Sequence, residues 1–395
     1  MPDTIGSFFL GGFECSSQRR HDGRRLDLTR STGHQDWCSR DYAALARLGI
    51  KGARDGFRWY LIESEPGTYD WSSAIPLLRA SRESGVRVVW DLCHYGWPDH
   101  LDVWSPQFVE SFARFAAGAA RLVRDETDTV PVFCPVNEIS FLAWAGGDVA
   151  RMNPNAHGRG GELKRQLVRA ALAATDAIRP EVPQARFLYA EPAIHIDGGL
   201  GTPDELREAE AYRLSQYEAL DMIEGRLSPE LGGAPEYLDM VGVNYYPDNQ
   251  WYFRGSTIPM GHHAYRPFSE ILREIHLRYS RPLVVAETGA EGSGRAAWLN
   301  YVAGEVLAAI SEGIPVNGIC LYPILDTPGW DNERLCPVGL FSASDDRGGR
   351  RVFEPLLAEL AVVRSRLVRT HTDVPQMSIM PGMAQLEQTA SHAGT

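Results

Sequence analysis

Strand-like and helix-like segments alternate eight times along this chain, and this alternation restricts the possible folds more than any other feature of the sequence. The strand-like segments are continuous runs of Val, Ile, Leu and Phe, which is typical of parallel strands covered by helices. Eight such units favour a single closed (β/α)8 TIM barrel over an open doubly wound sheet. The runs lie at about 6–13, 50–59, 86–93, 130–136, 185–190, 238–244, 283–286 and 316–321.

The segments between the runs predict helices, and the first two carry start and stop signals. Ser39 and Gly49 bracket the first, and Ser72 or Ser73 and Gly85 bracket the second, as expected of helix caps. No linker or internal repeat divides the chain, so we expect one domain over residues 1–368 and a flexible tail over 369–395. The other helices are predicted at about 106–125, 161–179, 204–225, 267–279, 293–312 and 353–368.

The charge of the chain argues against several classes of partner. Its 395 residues carry a formal net charge of −12 at pH 7, with a pI near 5.4. A surface that binds nucleic acid or an anionic membrane needs a basic face, so the charge argues against both and leaves a neutral or cationic small substrate open. The N-terminus lacks the features of a signal peptide and no run approaches a membrane span, so we expect a cytoplasmic protein.

Six cysteines are scattered along the chain without CxxC spacing. Cys93, Cys134 and Cys320 fall within predicted strands, where a small apolar residue fits. This pattern predicts buried thiols rather than a disulfide framework or a metal-binding set.

Polar residues crowd the carboxyl ends of the predicted strands, which face the same mouth of a parallel barrel. Such a ring is costly to desolvate unless it binds a ligand or pairs internally. One alternative is that Arg54, Asp55 and Glu191 neutralise one another in a structural network. Two carboxylic acids that face each other, here Glu138 and Glu287, are what cleavage of a glycosidic bond requires. The strand-end residues are Glu14, Arg54, Asp55, His94, Asn137, Glu138, Glu191, Asn244, Tyr246, Glu287 and Tyr322.

Four segments on predicted strands three, four, six and seven carry a more specific pattern. They are Leu92-Cys-His-Tyr-Gly-Trp-Pro98, Asn137-Glu138, Asp239-Met-Val-Gly-Val-Asn-Tyr-Tyr246 and Pro282-Leu-Val-Val-Ala-Glu-Thr-Gly289. In this order they resemble the motifs of the family 1 glycoside hydrolases, the β-glucosidase-like members of the (β/α)8 retaining glycosidases. The resemblance covers nearly the whole chain. Gly11-Gly-Phe-Glu-Cys-Ser-Ser-Gln18 is similar to the first-strand segment of the family, and Arg54 with Trp59 keeps its second-strand spacing.

The resemblance implies a retaining β-glycosidase that acts on a small soluble glycoside, with residues 1–368 as the catalytic domain. It implies that Glu287 is the nucleophile and Glu138 the acid/base. It also implies supporting roles for Arg54, Asn244 and Tyr246 around the carboxylates. The residues that it implies to face the substrate are Gln18, His94, Asn137 and Trp330.

The two glutamates need different pKa values to share this work. Arg54 and the Tyr246 hydroxyl near Glu287 are expected to stabilise its charge, while apolar neighbours and a second anion keep the proton on Glu138. Glu138 then donates this proton to the aglycone and later acts as the base on water. Asn137 is expected to bond the sugar 2-hydroxyl, and simple capping of the strand end is the alternative.

The eighth-strand segment departs from the pattern of the family. Tyr322-Pro-Ile-Leu-Asp-Thr-Pro-Gly-Trp330 is similar to the family's Trp-Ser-Leu-Leu-Asp-Asn-Phe-Glu-Trp, but Gly329 replaces the Glu that holds two sugar hydroxyls. Gln18, Glu191 and Asp326 are candidates to replace that Glu, and Asp326 is therefore included among the predicted substrate contacts. Tyr322, Ile139 and Thr288 also differ from the family pattern, which predicts a divergent branch.

Three other functions share some of these features. His94 could bind a metal with Glu191 or Glu14, but the chain has no HxH or HExxH motif and His262-His263 lies in a predicted loop, so we expect no metal and no cofactor. A transglycosylase would use the same catalytic residues with another acceptor. A barrel that has lost catalysis would bind glycans, but the retention of both glutamates speaks against this.

Overall fold

The structure, a computed structural model, describes residues 5–373 and consists of eight parallel strands that close into a barrel. Neighbouring strands follow the chain order, and β1 pairs with β8 through Leu10 and Cys320 to close the ring. The (β/α)8 barrel predicted from the alternation is therefore confirmed. The strands are β1 Phe9–Gly12, β2 Gly52–Gly56, β3 Arg87–Cys93, β4 Val132–Val136, β5 Arg186–Pro192, β6 Met240–Asn244, β7 Leu283–Thr288 and β8 Val316–Leu321.

One long helix follows each barrel strand along the chain. The predicted helix 204–225 is divided by a 3-10 turn, Ser215–Tyr217, whose Gln216 bonds both backbone groups of Ile194. The long helices are α1 His34–Arg47, α2 Ile75–Ser84, α3 Pro106–Glu126, α4 Gly160–Glu181, α5 Pro203–Leu214, α6 Phe268–Tyr279, α7 Gly294–Ser311 and α8 Glu354–Asp373.

Short strands and helices form within the loops of the barrel. Two pairs of short strands form outside the barrel, His195–Asp197 with Gln250–Tyr252 and Thr327–Pro328 with Leu335–Cys336. The short helices are Leu28–Ser31, Trp59–Ile62, Ile139–Leu142, Glu218–Ile223, the 3-10 turns Trp71–Ser73, Pro229–Leu231 and Pro235–Tyr237, and the π-helix Ala143–Asp148.

The barrel has two apolar layers. One cluster fills the inside of the barrel and includes Leu10, Val89, Cys134 and Cys320, while a larger one lies between the strands and the helices. All six cysteines are free, and five of them are buried, as their spacing predicts. Among the described residues, no helix is both long enough and apolar enough to cross a membrane.

The first and last strands meet closely at the mouth of the barrel. A side chain on Gly12 would place its Cβ 2.0 Å from the Tyr322 ring, so only glycine lets this ring pack against β1. The last helix continues past the predicted domain end at 368 to Asp373. The rest of the predicted tail, from 374 to 395, lies outside the described residues, and the domain boundary stays a prediction.

Candidate functional site

The carboxyl ends of the strands surround a cavity of about 850 Å³. Both glutamates of the predicted pair lie in its wall, and each is more than nine-tenths buried. Burial of two carboxyl groups in one apolar-walled cavity is costly unless other groups stabilise them. The hydrogen-bond partners of Glu138 and Glu287 therefore indicate which chemistry the site supports. The strand-end residues that line the cavity are Glu14, His94, Glu138, Tyr246 and Glu287, and Trp330 closes one side.

Glu287 is held by one charged and one neutral donor. Arg54 Nη1 donates to its Oε1 at 2.7 Å, and the Tyr246 hydroxyl donates to its Oε2 at 2.9 Å. Burial raises the pKa of Glu287 despite the opposing effects of Arg54, His94 and Tyr246, and the negative charge of Glu14 raises it further. Both supporting contacts predicted from the sequence are present, and the guanidinium favours the ionised form.

Among residues 5–373, the hydrogen-bond donors to the Glu138 side chain are all neutral. The Tyr95 hydroxyl donates to its Oε2, and Asn244 Nδ2 donates to its Oε1 at 3.0 Å. Burial and the neighbouring charge of Glu287 raise the pKa of Glu138 to about 7. Of the two carboxyl groups, Glu138 thus keeps its proton to higher pH, because no cation among the described residues bonds to it.

The backbone at Glu138 adopts a conformation that is rare for residues other than glycine. Its φ is 45° and its ψ is 63°, in the left-handed region, and its N–H donates to Ala190 O at 2.9 Å. The short helix that starts at Ile139 continues into a π-helical turn, a feature that is frequent at functional sites. Strain of this kind clusters at active sites and aims the side chain into the cavity.

Arg54 connects the two glutamates through Asn137. It donates twice to Asp91, at 2.9 and 2.8 Å, and once to Asn137 Oδ1 at 2.6 Å. The Asn137 Nδ2 group lies 2.9 Å from the Tyr95 hydroxyl and 3.1 Å from His94 Nε2. Every bonding group of the Asn137 side chain is used within the protein, and the residue has no exposed surface. The contact of Asn137 with a sugar therefore stays a prediction. It requires Asn137 to give up one of these hydrogen bonds and to form one with a sugar hydroxyl instead.

His94 lies at the cavity wall beside two acids. Its Nδ1 is 2.8 Å from Asp91 Oδ2, and its Nε2 is 3.7 Å from Glu14 Oε1. Cys15, Asp91 and His94 form the one cluster among residues 5–373 with ligand atoms close enough for a metal ion. Arg54 already occupies both oxygens of Asp91. A cation there would have to displace a buried guanidinium, so the cluster fits a hydrogen-bond network better than a metal site.

The alternative structural network of Arg54, Asp55 and Glu191 does not form, because no ion pair joins these three described residues. Asp55 accepts hydrogen bonds from the Tyr42 hydroxyl at 2.8 Å and lies 3.0 Å from His34 Nε2. Glu191 accepts the N–H of Ser140 at 3.0 Å and thus anchors the turn that follows Glu138. Burial raises the pKa of Glu191 to about 7.

Besides Asn137, two further predicted substrate contacts lie outside the cavity wall. Gln18 is buried, and its Oε1 has no hydrogen-bond partner among the described residues. Asp326 accepts the N–H of Gly339 at 2.9 Å and lies 3.7 Å from Arg295, so it holds a loop in place. Trp330 does line the cavity and packs edge to face on Tyr95 at 5.7 Å. Substrate contacts of Gln18 and Asp326 stay predictions.

Sequence reasoning missed two residues of this network. Tyr95 has a φ of 68° and directs its hydroxyl to Glu138, although the motif drew attention to its neighbour His94. Asp91 interrupts the apolar run of β3 and bonds both Arg54 and His94. A charged residue inside an otherwise apolar buried strand was the available indication for Asp91.

Comparisons with known proteins agree with the architecture. No protein-family model and no curated protein sequence matches this sequence. A family 1 β-glucosidase from Thermotoga maritima superposes with a TM-score of 0.74 at 16% identity, covering 90% of this chain and 97% of that chain. A β-glucosidase from the same organism in complex with glucoimidazole gives 0.71 at 15% identity, covering 93% and 98%. The AHE enzyme from Alicyclobacillus herbarius gives 0.74 at 16% identity, covering 91% and 98%.

These structures span almost the full length of both chains in each pair, so the similarity extends over the whole barrel rather than one motif. At this identity the comparison establishes the fold. The protein therefore has the (β/α)8 barrel fold of the family 1 β-glucosidases, at low sequence identity to them.

Proposed function

We propose that the protein is a retaining β-glycosidase that hydrolyses a small soluble β-glycoside, in the cytoplasm as the sequence predicts. The observation that carries this proposal is the unequal surroundings of two buried carboxyl groups in one cavity. Glu287 has the Arg54 guanidinium as a partner, whereas the pKa of Glu138 is raised to about 7 among neutral donors. One group suited to attack and one suited to proton transfer are what the double-displacement reaction needs.

In the first step, a carboxylate oxygen of Glu287 attacks the anomeric carbon of the sugar. The bond between this carbon and the aglycone oxygen breaks, and Glu138 gives its proton to that oxygen. Glu138 is now ionised, and it removes a proton from a water molecule that attacks the same carbon. The sugar leaves with its anomeric configuration retained, Glu287 is released as the carboxylate, and Glu138 is protonated again.

The outer part of the cavity suits an aglycone with an apolar face. Trp144, Trp251, Tyr212 and Phe141 contribute to its wall beyond Glu138. Aromatic rings of this kind bind the apolar faces of sugars and aryl groups. The same surface would accept a second sugar, so product analysis with added alcohol or sugar acceptors distinguishes hydrolysis from transglycosylation.

A 2-deoxy-2-fluoro aryl glycoside tests the nucleophile directly. We expect it to inactivate the enzyme by forming a stable ester, and mass spectrometry of the digested protein to place the sugar on Glu287. We expect Glu287→Gln to abolish turnover and labelling while the protein remains folded. Near-wild-type hydrolysis by this variant would refute the assignment, and a complete lack of labelling across a broad panel of sugars would favour a glycan-binding barrel.

The role of Glu138 is tested by leaving groups of different acidity. Glu138→Ala should lose most activity on alkyl glycosides, which need a protonated leaving group, and far less on dinitrophenyl glycosides, which do not. Azide has room to enter where the carboxyl group is missing, and we expect it to restore turnover with a β-glycosyl azide as product. Equal losses on both kinds of leaving group would contradict the acid/base role.

A further inference from the structure

The cavity lacks a carboxylate at the position where the family pattern would place one to hold sugar hydroxyls. Gly329 has no side chain and lies in a tight turn in which its N–H donates to Arg334 O at 2.8 Å. The three substitutes suggested by the sequence, Gln18, Glu191 and Asp326, do not line the cavity. Glu14, at the end of β1, does line it.

Glu14 is a buried carboxylate with few partners. It is 9% exposed, and the only hydrogen bond that it makes with described residues comes from the Ser16 N–H to its Oε1, at 3.0 Å. Its Oε2 accepts no hydrogen bond from residues 5–373. A buried ionised carboxylate usually accepts two or more hydrogen bonds, so Oε2 is free for donors that come from a ligand.

The neighbours of Glu14 show which donors are missing. His94 Nε2 lies 3.7 Å from Glu14 Oε1, and the pKa of His94 is raised by its hydrogen bond to Asp91 and by the charge of Glu14, against the effect of burial. At this distance His94 does not hydrogen-bond Glu14, and both of its ring nitrogens lie closer to other partners, Asp91 Oδ2 at 2.8 Å and Asn137 Nδ2 at 3.1 Å. What the carboxylate lacks is neutral hydrogen-bond donors, and sugar hydroxyls supply them without adding charge.

Glu14, His94 and Glu287 line the same cavity, and Glu14 Oε1 lies 3.7 Å from His94 Nε2. The charge of Glu14 contributes to the raised pKa of Glu287 and to that of the Tyr246 hydroxyl, which bonds Glu287. A sugar with its anomeric carbon at Glu287 would thus bring its other hydroxyl groups within reach of Glu14 and His94. A second anion so near the nucleophile costs stability unless a ligand uses it.

We propose that Glu14 determines sugar specificity by accepting hydrogen bonds from one or two hydroxyls of the uncharged sugar that is bound at Glu287. This inference rests on the proposed glycosidase function and adds a residue that none of its motifs assigns. A carboxylate at the end of the first strand would then bind the sugar hydroxyls that Gly329, which has no side chain, cannot bind. The sugar hydroxyls would approach Glu14 from the cavity side, past His94.

The test compares wild-type protein and Glu14→Gln on a matched set of substrates. The set contains 4-nitrophenyl β-glycosides of glucose, galactose, mannose and fucose, together with the 3-, 4- and 6-deoxy analogues of the best of them. We expect Glu14→Gln to lower kcat/KM about 10- to 100-fold on the parent glycoside, because a hydrogen bond to a charged acceptor is lost. On the analogue that lacks the hydroxyl bound by Glu14, we expect a loss of about two-fold or less.

A control variant separates this effect from general damage. Glu63→Gln alters another buried glutamate, which accepts Trp59 Nε1 at 2.7 Å and does not line the cavity. It should lower the melting temperature without changing the preference among the deoxy analogues. If Glu14→Gln lowers activity on every analogue by the same factor, the proposal is overturned. If Glu14→Gln does not fold, Glu14→Asp replaces it in the test. This variant keeps the charge but shortens the side chain by one methylene, and it should show the same selective loss of kcat/KM on the parent glycoside.

A binding measurement distinguishes failure of this inference from failure of the proposed function. Neutral sugar lactams and their deoxy analogues are titrated into both proteins by calorimetry, which needs no turnover. Wild-type protein that binds lactams but cleaves no glycoside would refute the hydrolase function, and the selective loss of lactam affinity in Glu14→Gln would still support Glu14. Wild-type protein that neither binds nor cleaves would overturn both.

Discussion

Replacing Tyr95 with Phe removes one hydroxyl and leaves the ring that buries Glu138 in place. That hydroxyl donates to Glu138 Oε2 and stabilises the ionised carboxylate, so it lowers the pKa of Glu138. A hydrogen bond to a charged group contributes about 1.5–3 kcal/mol, and one pKa unit corresponds to about 1.4 kcal/mol. The pKa of Glu138 should therefore rise from about 7 by about one to two units in Tyr95→Phe.

The pH dependence of kcat/KM shows this shift. In the first chemical step Glu138 must be protonated, so activity falls as pH rises through its pKa in the free enzyme. We expect the alkaline limb to lie near pH 7 in the wild-type protein and to move to higher pH in Tyr95→Phe. The measurement uses an alkyl glycoside, because its departure depends on the acid.

Tyr42→Phe is the matched control. The Tyr42 hydroxyl donates to the buried Asp55 at 2.8 Å and does not line the cavity. This variant should lose stability, by about 1.5–3 kcal/mol for the lost hydrogen bond to a carboxylate, and keep the alkaline limb unchanged. An alkaline limb that stays in place or moves to lower pH in folded Tyr95→Phe would refute the reasoning.

Two further predictions concern other carboxylates of the site. In Tyr246→Phe the pKa of Glu287 should rise because a hydrogen bond to its ionised form is lost. The acidic limb of kcat/KM should therefore move to higher pH, and an unmoved limb would count against the contact. Glu191 has a pKa near 7 in the folded protein, above its unfolded value, so the unfolding free energy should fall as pH rises from about 5 to 7. Glu191→Gln should make this fall smaller by an amount on the order of 3 kcal/mol. Urea unfolding at both pH values measures the fall, and an equal fall in wild type and variant would disprove the prediction.

The barrel and its rim could be predicted from the sequence because both follow from local patterns. Continuous apolar runs mark the strands, and the glycines after the first two predicted helices mark their ends, as at Gly85 with its φ of 66°. Once the strands are placed, the parallel arrangement brings their carboxyl ends together. Glu138 and Glu287 could therefore be paired across a separation of 149 residues without any contact information.

The partners of these glutamates depend on geometry that no local pattern records. Tyr95 reaches Glu138 because its backbone takes a left-handed conformation after β3, and no glycine or asparagine at that position announces the turn. Gln18 and Asp326 belong to loops whose paths are set by distant contacts, such as that between Asp326 and Gly339. Motif spacing placed both at the rim, and tertiary packing directs them away from the cavity wall.

Asn137 shows how one buried motif residue can position the groups around both carboxylates. Its carbonyl oxygen accepts from Arg54, which holds Glu287, and from Asn244, which holds Glu138. Its amino group lies at the Tyr95 hydroxyl, which also bonds Glu138. One fully buried amide thus fixes the donors of both carboxylates, and fixed donors need no reorganisation when charge moves between the two groups. Capping of the strand end by Asn137, the alternative to a sugar contact, therefore also orients the groups that set the two pKa values.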